Sequence, residues 1–293
     1  MIIIKLMGGL GNQMFQYAIG RHFALKNNTQ LLLDTSTFNK KRFRNFRKNK
    51  DTTRTYELNA FNISAKVTSK YEIIYARLIE HIFSKFSFLE RAYVKQKNNY
   101  FDKKVLFNHQ KNMYIEGFWQ CEKYFEDIKD IIKQDFKIKI KPDKQNEAML
   151  KKIEGTNSIC VHIRRGDYAT DPRTKENHGL CSLRYYYNSI NFIKKRTKNS
   201  VFYIFSDDPN WVKNNLKIKD KTTFVDINGV DKAYEDLRLM SNCKHFITAN
   251  SSFSWWAAWL SNNPNKIICA PKKWFNQVDE GDIVPKSWVR IKG

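Results

Sequence analysis

The sequence predicts an α/β protein built on doubly wound parallel sheets. Short apolar runs alternate with amphipathic segments along most of the chain, most regularly after residue 155. Several of these runs are apolar throughout, which is typical of parallel strands buried on both faces. A glycine-rich turn joins the first run to a helical segment. At 293 residues the chain is long enough for two domains, which we expect to be 1–154 and 155–293.

The first half begins with a strand–helix–strand unit. Its apolar residues are consecutive in the strands and spaced by three or four in the helix. A glycine at position 155 is expected to end the last helix of this half. The predicted elements are, in order, strand 2–7, helix 12–26, strand 30–34, helix 69–88, a short strand within NMYIEG, helix 121–135 and helix 146–154.

The second half alternates strands and helices. The predicted strands are 158–163, 201–205, 224–227, 245–248 and 266–270, and the predicted helices are 183–195, one beginning at 209, 232–242 and 253–260. In such sheets ligands bind beyond the carboxyl ends of the strands. The residues that follow each strand are therefore the candidate functional residues.

Composition limits the class of protein. Five scattered cysteines without a CxxC pair argue against disulfides and structural zinc, and favour a reducing cytoplasm. We expect neither a membrane-spanning segment nor a signal peptide. The net charge is +23, and residues 38–54 carry eight lysines and arginines. No nucleic-acid-binding motif surrounds them, so we expect a basic surface loop and no nucleic-acid partner. The alternative is peripheral contact with an anionic membrane, at the inner face of a bacterial membrane.

The first strand ends in GGLGNQ. Gly9 and Gly11 fit the first two positions of the dinucleotide-binding fingerprint, but Met14 occupies the third. Glycine lets a ligand approach the backbone next to a helix N-terminus, and the amides of Asn12 and Gln13 are suited to bind a sugar or a phosphate. The alternative is an ordinary tight turn.

The strand at 158–163 ends in HIRRGDY. His162 and Arg164 share one face of the strand, because side chains alternate along it. Arg164 and Arg165 offer the paired N–H donors that suit a diphosphate, and Asp167 is placed to orient one of them. The alternative is a structural ion-pair network.

Two further strand ends carry polar residues. Asp207 and Asp208, in FSDDP, are candidates to bind ribose hydroxyls or a metal, or to cap the helix that Pro209 begins. The fifth strand ends in NSSFSWWAAWL, whose small hydroxyl residues at a helix start predict an anion-binding turn; the alternative is a helix cap. The tryptophans of this motif, at helical spacing, are expected in the core.

These features predict a nucleotide-sugar transferase with a diphosphate leaving group. No P-loop, kinase glycine loop or DxD motif is present. We therefore expect arginines and helix dipoles, rather than magnesium, to neutralise the diphosphate, and we expect no metal and no cofactor.

The motifs GGLGNQMFQYA, HIRRGDY, FSDD and NSSFSWWAAWL together resemble the α-1,2-fucosyltransferases of glycosyltransferase family 11. The segments TYELNAFNI, EGFWQCEKYF and HGLCSLRYY are also similar to bacterial members. The resemblance covers almost the whole chain in order.

The resemblance implies a GT-B-like fold, with two Rossmann-like domains facing a central cleft. The N-terminal domain would lie on the acceptor side and the C-terminal domain would bind GDP-fucose. The implied reaction is inverting, metal-independent transfer of fucose from GDP-β-L-fucose to the 2-hydroxyl of a terminal galactose. The acceptor would be a galactose-terminated oligosaccharide or a lipid-linked glycan, such as an O-antigen unit.

The resemblance also implies roles for particular residues. Arg164 would contact the diphosphate, Ser251–Phe253 would line the donor pocket, and Asp236 would recognise guanine. Candidate substrate-binding residues from the strand ends and the resemblance are Gly9, Asn12, Gln13, His162, His178, Ser206, Asp207, Asp208, Asp236, Asn250, Ser251, Ser252 and Phe253. The candidate catalytic residues are Arg164, Arg165 and Asp167.

Two questions stay open at this point. The base for the acceptor hydroxyl is Asp167 or His178, with Glu116 a weaker candidate, or no strong base is needed. The alternative to an enzyme is a nucleotide-sugar-binding protein of polysaccharide assembly that does not turn over.

Overall fold

The computed structural model describes residues 1–38, 54–68 and 92–293, which form two compact units. The first unit is Met1–Lys139 with Gly281–Ile283, and the second is Ile140–Glu280 with Val284–Gly293. The predicted helix 69–88 and all but the ends of the basic segment 38–54 lie outside the described residues. The division falls before residue 154 because the helix Lys144–Glu154 packs on the second unit, where Tyr203 Oη donates to Lys152 O at 2.9 Å. The domain assignment 1–154 and 155–293 stays a prediction.

The first unit contains a five-stranded parallel sheet in the order β3-β2-β1-β5-β4. Ile3 of the central strand pairs with Leu32 on one side and Tyr114 on the other, and all three are buried. The elements are β1 Ile2–Lys5, α1 Leu10–Lys26, β2 Leu31–Asp34, β3 Lys66–Val67, β4 Tyr93–Lys95, β5 Met113–Glu116 and α2 Lys129–Asp135. β3 and β4 are short and lack an apolar run, so the sequence does not predict them.

The helix predicted at 121–135 is wrong in its first half. Two 3₁₀ turns, Glu122–Tyr124 and Glu126–Ile128, precede α2. Tyr124 packs on Trp119 and the next residue, Phe125, packs on Phe15. The adjacent rings of Tyr124 and Phe125 pack against different neighbours, and this packing overrides the local helical pattern. Phe125 accordingly has φ −144°, which is outside the helical range.

The second unit contains a six-stranded sheet in the order β11-β10-β9-β6-β7-β8, and every neighbouring pair is parallel. All carboxyl ends therefore lie along one edge. The elements are α3 Lys144–Glu154, β6 Asn157–Ile163, α4 Gly166–Thr170, α5 Pro172–His178, α6 Leu183–Lys194, β7 Ser200–Ser206, α7 Pro209–Asn215, β8 Thr222–Val225, α8 Ala233–Ser241, β9 His245–Ile247, α9 Ser252–Leu260, β10 Ile268–Pro271 and β11 Val289–Ile291.

The predicted α/β alternation of the second half is confirmed, with few differences. β8 lies earlier than predicted, and α4, α5 and β11 were not predicted. Trp255 and Trp256 are fully buried, as predicted for core residues, whereas Trp259 is only partly buried. Within residues 1–38, 54–68 and 92–293, no helix combines the length and apolarity needed to span a membrane.

Candidate functional site

The candidate site of the second unit lies at the carboxyl ends of three adjacent strands. β6 lies between β7 and β9, and Val161 pairs with Ile204 on one side and Ile247 on the other. The segments that follow these strands therefore lie side by side. They carry Arg164 and Arg165, Asp207 and Asp208, and the serine-rich start of α9. This edge brings together the residues that the sequence predicted separately.

Arg164 is held by two carboxylates. Its Nη2 donates to Asp167 Oδ1 at 2.6 Å, and its Nη1 lies 2.7 Å from Asp207 Oδ2. The guanidinium also lies 5.4 Å from the centre of the Tyr168 ring. Burial alone would lower the pKa of Arg164, but the two carboxylates outweigh it, so the pKa is raised and the charge is permanent.

Arg165 is fixed by stacking and by one ion pair. Its guanidinium lies 3.6 Å from the centre of the Trp211 ring, and its Nε donates to Asp208 Oδ2 at 3.2 Å. The backbone N–H of Arg165 donates to Asp207 Oδ1 at 2.7 Å. Asp207 thus orients both arginines. A Cβ on Gly166 would lie 2.5 Å from Asp207 Oδ2, so glycine is required for the carboxylate to approach.

The ion-pair network weighed as the alternative is therefore present. Three carboxylates face two guanidinium groups, so the cluster itself carries no net positive charge. Both arginine side chains keep about a fifth of their surface exposed, at 22% and 18%. An anion would be bound by directed N–H donors rather than by a positive field. The network pre-orients these donors, which is compatible with a binding role.

The start of α9 offers further donors on the neighbouring strand. Ser251 occupies the N-cap position with extended backbone, but its side chain makes no capping hydrogen bond. The hydroxyl of Ser254 donates to Ser251 O at 3.3 Å. Since no side chain caps the helix at its first residue, the N–H groups of its first turn are suited to an anion. Ser252 and Phe253 are partly exposed at this helix start.

The side chain of Asn250 is used within the protein, and its predicted role in substrate binding stays a prediction. It is 3% exposed, and its Nδ2 lies within hydrogen-bond distance of the carbonyls of His178, Gly179 and Trp274. Its Oδ1 accepts from the thiol of Cys181 at 3.4 Å. The amide is therefore fully used in joining the segment after β9 to the segment after α5.

The two histidines of the site are held by aromatic neighbours. Burial, followed by the charge of Arg164, lowers the pKa of His162 to about 3, so this ring is neutral at neutral pH. It packs against Phe253 with ring centres 5.8 Å apart. His178 stacks on Tyr168 at 4.7 Å, and burial lowers its pKa as well. Among the described residues, the buried Nδ1 of each histidine has no hydrogen-bond partner.

The remaining strand-end residues, Ser206 and Asp208, make local hydrogen bonds, and Asp208 also pairs with Arg165. Ser206 Oγ accepts from the backbone N–H of Asp208 at 3.1 Å. Asp208 Oδ1 accepts from Trp211 N at 3.2 Å, so this residue caps α7 while its other oxygen binds Arg165. The capping alternative therefore holds for Asp208, whereas Asp207 caps no helix.

Asp236 lies in the first turn of α8, the helix after β8. Its Oδ1 accepts from Asn228 Nδ2 at 2.8 Å. Burial raises the pKa of Asp236 to about 6, although the Asn228 hydrogen bond lowers it. The Asp236 side chain is only partly buried by surface area, and a carboxyl group that is half-ionised near pH 6 is unusual for a structural aspartate.

In the first unit, Gly8 has φ +75°, and a Cβ there would lie 2.4 Å from Asn12 Nδ2. The Oδ1 of Asn12 accepts from Gln120 Nε2 at 2.7 Å. A Cβ on Gly9 would lie 3.5 Å from Arg54 Nη1, so the guanidinium of Arg54 lies beside this turn. The turn after β1 thus combines a glycine-dependent conformation with a neighbouring cationic side chain.

The side chain of Gln13 is also used within the protein. It is fully buried, its Nε2 donates to Gly8 O and Thr55 O, and its Oε1 accepts from Glu57 N. It therefore fixes the turn, and its role in substrate binding stays a prediction. The weaker base candidate, Glu116, lies at the end of β5, where it pairs with Lys5 at 3.2 Å and accepts from Tyr93 at 2.9 Å.

Sequence reasoning missed Trp211 and Asn228. Trp211 is the third residue of α7, and Asn228 belongs to the loop between β8 and α8. The only sequence signal was their position after strand ends. Among the described residues, no group of three or more histidine, cysteine or acidic side chains is placed to hold a metal ion.

Sequence comparison identifies relatives along the whole chain. An alpha-1,2-colitosyltransferase of Escherichia coli is 37% identical over 300 residues, covering 99% of both chains. The O-antigen biosynthesis glycosyltransferase WbnK of Escherichia coli is 32% identical over 311 residues, covering 98% of this chain and 99% of WbnK. A galactoside 2-alpha-L-fucosyltransferase of Caenorhabditis elegans is 29% identical over 200 residues, covering 62% and 53%.

Structure comparison supports the predicted fold class. The crystal structure of NodZ alpha-1,6-fucosyltransferase soaked with GDP-fucose matches with a TM-score of 0.52 at 14% identity, covering 90% of this chain and 96% of NodZ. The two parallel-sheet α/β units are thus GT-B-like, and the predicted fold class is confirmed. A central cleft stays a prediction.

Fold, strand-end site and relatives together define a glycosyltransferase. The family is equally clear: the family model of glycosyl transferase family 11 matches residues 1–292, and the chain belongs to this fucosyltransferase family.

Proposed function

We propose that the chain transfers L-fucose from GDP-β-L-fucose to the 2-hydroxyl of a terminal galactose, with inversion at the fucose anomeric carbon. The α-1,2 linkage is supported by the C. elegans galactoside fucosyltransferase and, for the linkage alone, by the colitosyltransferase. Binding of a GDP-sugar is supported by the NodZ crystal soaked with GDP-fucose. The acceptor is a galactose-terminated oligosaccharide or lipid-linked glycan of O-antigen type, supported by WbnK.

The observation that carries the proposal is the meeting of two anion-binding elements on adjacent strands. Arg164 follows β6, and the uncapped start of α9 follows β9, its hydrogen-bonded neighbour. The hydroxyl of Tyr168 reaches Asn250 O at 3.4 Å, which links the two segments directly. Donors arriving from two strands suit the several oxygens of a diphosphate better than one side chain does.

The reaction is a direct displacement. The galactose oxygen forms a bond to fucose C1 while the bond from C1 to the diphosphate oxygen breaks, and GDP leaves with the electron pair. Negative charge grows on the diphosphate as positive charge grows on the sugar. Arg164, Arg165 and the α9 helix start stabilise the leaving charge, and because their carboxylate partners already orient the arginines, little reorganisation is needed.

The proton of the acceptor hydroxyl leaves late in this scheme. Asp167 Oδ1 accepts from Arg164 Nη2 at 2.6 Å, so this oxygen is occupied while that hydrogen bond lasts. His178 is neutral near pH 7, because burial lowers its pKa, and is therefore able to accept a proton. A loose, cation-like transition state acidifies the attacking hydroxyl and reduces the need for either. Separate pH–rate profiles of Asp167→Asn and His178→Gln distinguish these routes.

A second donor is favoured by one specific observation. The chain is 37% identical to an alpha-1,2-colitosyltransferase over 99% of both proteins. Colitose is L-fucose without its 3-hydroxyl, so both sugars present the same anomeric centre and the same leaving group. The donor preference then depends on whether a protein group binds the fucose 3-hydroxyl.

The decisive assay supplies GDP-fucose or GDP-colitose with a panel of galactosides, in the presence of EDTA. We expect fucose in α-1,2 linkage to galactose, with the linkage determined by NMR. If the chain used only GDP-colitose, the proposed donor would be wrong but the proposed reaction class would stand. Binding of GDP-fucose without transfer to any acceptor would favour the non-catalytic assembly role and contradict the proposal.

A further inference from the structure

We propose that Asn228, held in turn by Asn146, positions the Asp236 carboxylate to recognise the base of the donor nucleotide. This inference rests on the proposed function, in which Asp236 accepts hydrogen bonds from guanine. Neither asparagine touches the nucleotide in this scheme. Both act through Asp236 and are therefore positioning residues.

The two asparagines form a reciprocal amide pair. Asn146 Nδ2 donates to Asn228 Oδ1 at 2.8 Å, and Asn228 Nδ2 donates to Asn146 Oδ1 at 2.9 Å. Asn146 is 1% exposed and Asn228 is partly exposed, so these bonds are shielded from water on the Asn146 side. The pair joins the first turn of α3 to the loop before α8, two elements that are far apart in sequence.

The direction of the hydrogen bonds is determined from the α3 end. Asp143 caps α3 and accepts from both the backbone N–H and the Nδ2 of Asn146, each at 3.0 Å. The Asn146 hydrogen bond, together with Lys232 at 3.1 Å, lowers the pKa of Asp143 to about 2. Asp143 is therefore always an acceptor near neutral pH, and Asn146 must present its NH₂ group towards it.

This fixed orientation propagates to Asp236. With the NH₂ group of Asn146 bound to Asp143 and to Asn228 Oδ1, the amide of Asn228 must turn its own NH₂ group outward. One of its hydrogens returns to Asn146 Oδ1, and the other donates to Asp236 Oδ1 at 2.8 Å. Both hydrogens of each side-chain NH₂ group are thus used. The Asp236 carboxylate is thereby held in one orientation about its Cβ–Cγ bond.

The carboxylate so held is suited to guanine. No cation pairs with Asp236 among the described residues, and its Oδ2 has no protein hydrogen-bond donor there. The adjacent Glu235 is occupied by Arg238 at 2.7 Å, so it does not compete for the base. Guanine offers the parallel N1–H and 2-amino donors that a carboxylate accepts with two oxygens; hypoxanthine has only N1–H. If the carboxylate rotated, it would no longer accept from N1–H and the 2-amino group of guanine at the same time.

The test compares GDP and IDP as inhibitors of the native chain and of Asn228→Ala. We expect the wild type to prefer GDP, and Asn228→Ala to reduce this preference about tenfold, the effect of one hydrogen bond to a charged group. Inhibition by inorganic pyrophosphate, which lacks a base, should change less than twofold. In the Asp236→Ala background, Asn228→Ala should have no further effect on the preference.

Two more variants complete the experiment. Asn263→Ala is the matched control, because the Nδ2 of Asn263 also makes a part-buried hydrogen bond, to Lys244 O, but this carbonyl precedes β9 at the amino edge of the sheet. It should leave the GDP preference unchanged. Asn146→Ala removes the relay one step further away and should reduce the preference as Asn228→Ala does, so it decides the question if Asn228→Ala fails to fold.

Each outcome separates the two claims. Equal weakening of GDP, IDP and pyrophosphate in both asparagine variants, or an unchanged GDP preference, would overturn the positioning role. A wild-type chain that does not distinguish GDP from IDP and ADP would instead contradict the guanine donor of the proposed function.

Discussion

Donor binding should weaken in mild acid because of Asp236. The pKa of this carboxyl is raised to about 6, chiefly by burial, and guanine requires the ionised form. Between pH 7.5 and pH 5 the ionised fraction falls from nearly all to about one tenth, so the association constant for GDP-fucose should fall about tenfold. GDP-fucose is the appropriate ligand, since its diphosphate is a diester and does not titrate in this range.

The neighbouring groups do not explain such a change. Lys232 has a raised pKa, Asp143 has a pKa of about 2, and burial keeps Cys160 neutral, so none of them changes charge between pH 5 and pH 7.5. Glu235, on the same helix, is paired with Arg238. Asn228, in the preceding loop, carries no charge.

Titration calorimetry at several pH values measures the effect, with Asp236→Asn as the control. The variant should bind GDP-fucose more weakly at pH 7.5 and with little dependence on pH. A wild-type affinity that is constant from pH 7.5 to pH 5, or a variant with the same tenfold fall, would refute the assignment of this titration to Asp236.

Three further predictions concern single residues. Since the pKa of Asp236 in the folded state lies above the ordinary value of 3.8, the protein loses stability as pH rises through about 6. Asp236→Asn should therefore raise the free energy of unfolding at pH 7.5, by up to about 3 kcal/mol, but not at pH 4. Urea denaturation that shows equal effects at the two pH values would contradict this. Trp211→Ala should lower kcat about tenfold by releasing Arg165, whereas Trp211→Phe should stay within about threefold of wild type; equal loss in both would exclude the stacking role. Gln13→Leu should destabilise the first unit by about 2–4 kcal/mol, because Glu57 N, Gly8 O and Thr55 O lose their partner, and an unchanged denaturation midpoint would show that these groups find others.

The α/β class could be predicted because local and global signals agree. β6 is buried on both faces, and α3 has an Asp143 cap at its start and Gly155 at its end. The helix predicted at 121–135 failed for a reason invisible in its periodicity: Tyr124 and Phe125 are buried against different neighbours. Such packing depends on residues distant in sequence.

The candidate site was predictable at the level of strand ends, not of individual atoms. Parallel strands must bring their carboxyl ends to one edge, so the grouping of Arg164 with the start of α9 follows from topology. Whether an amide faces a ligand or a carbonyl does not follow. The side chains of Gln13 and Asn250, predicted as ligand contacts, are buried and hydrogen-bonded to protein groups. Trp211 stacks on Arg165 because of the direction in which α7 runs.

Whether Arg164 binds the diphosphate is tested by the ratio of GDP affinity to guanosine affinity, measured by calorimetry for the wild type and for Arg164→Ala. If Arg164 binds the diphosphate, the variant should lower this ratio by about 10- to 100-fold, the loss of charge-assisted hydrogen bonds, and leave guanosine binding unchanged. An unchanged ratio, or a guanosine affinity that falls as far as that for GDP, would contradict a diphosphate site at the end of β6.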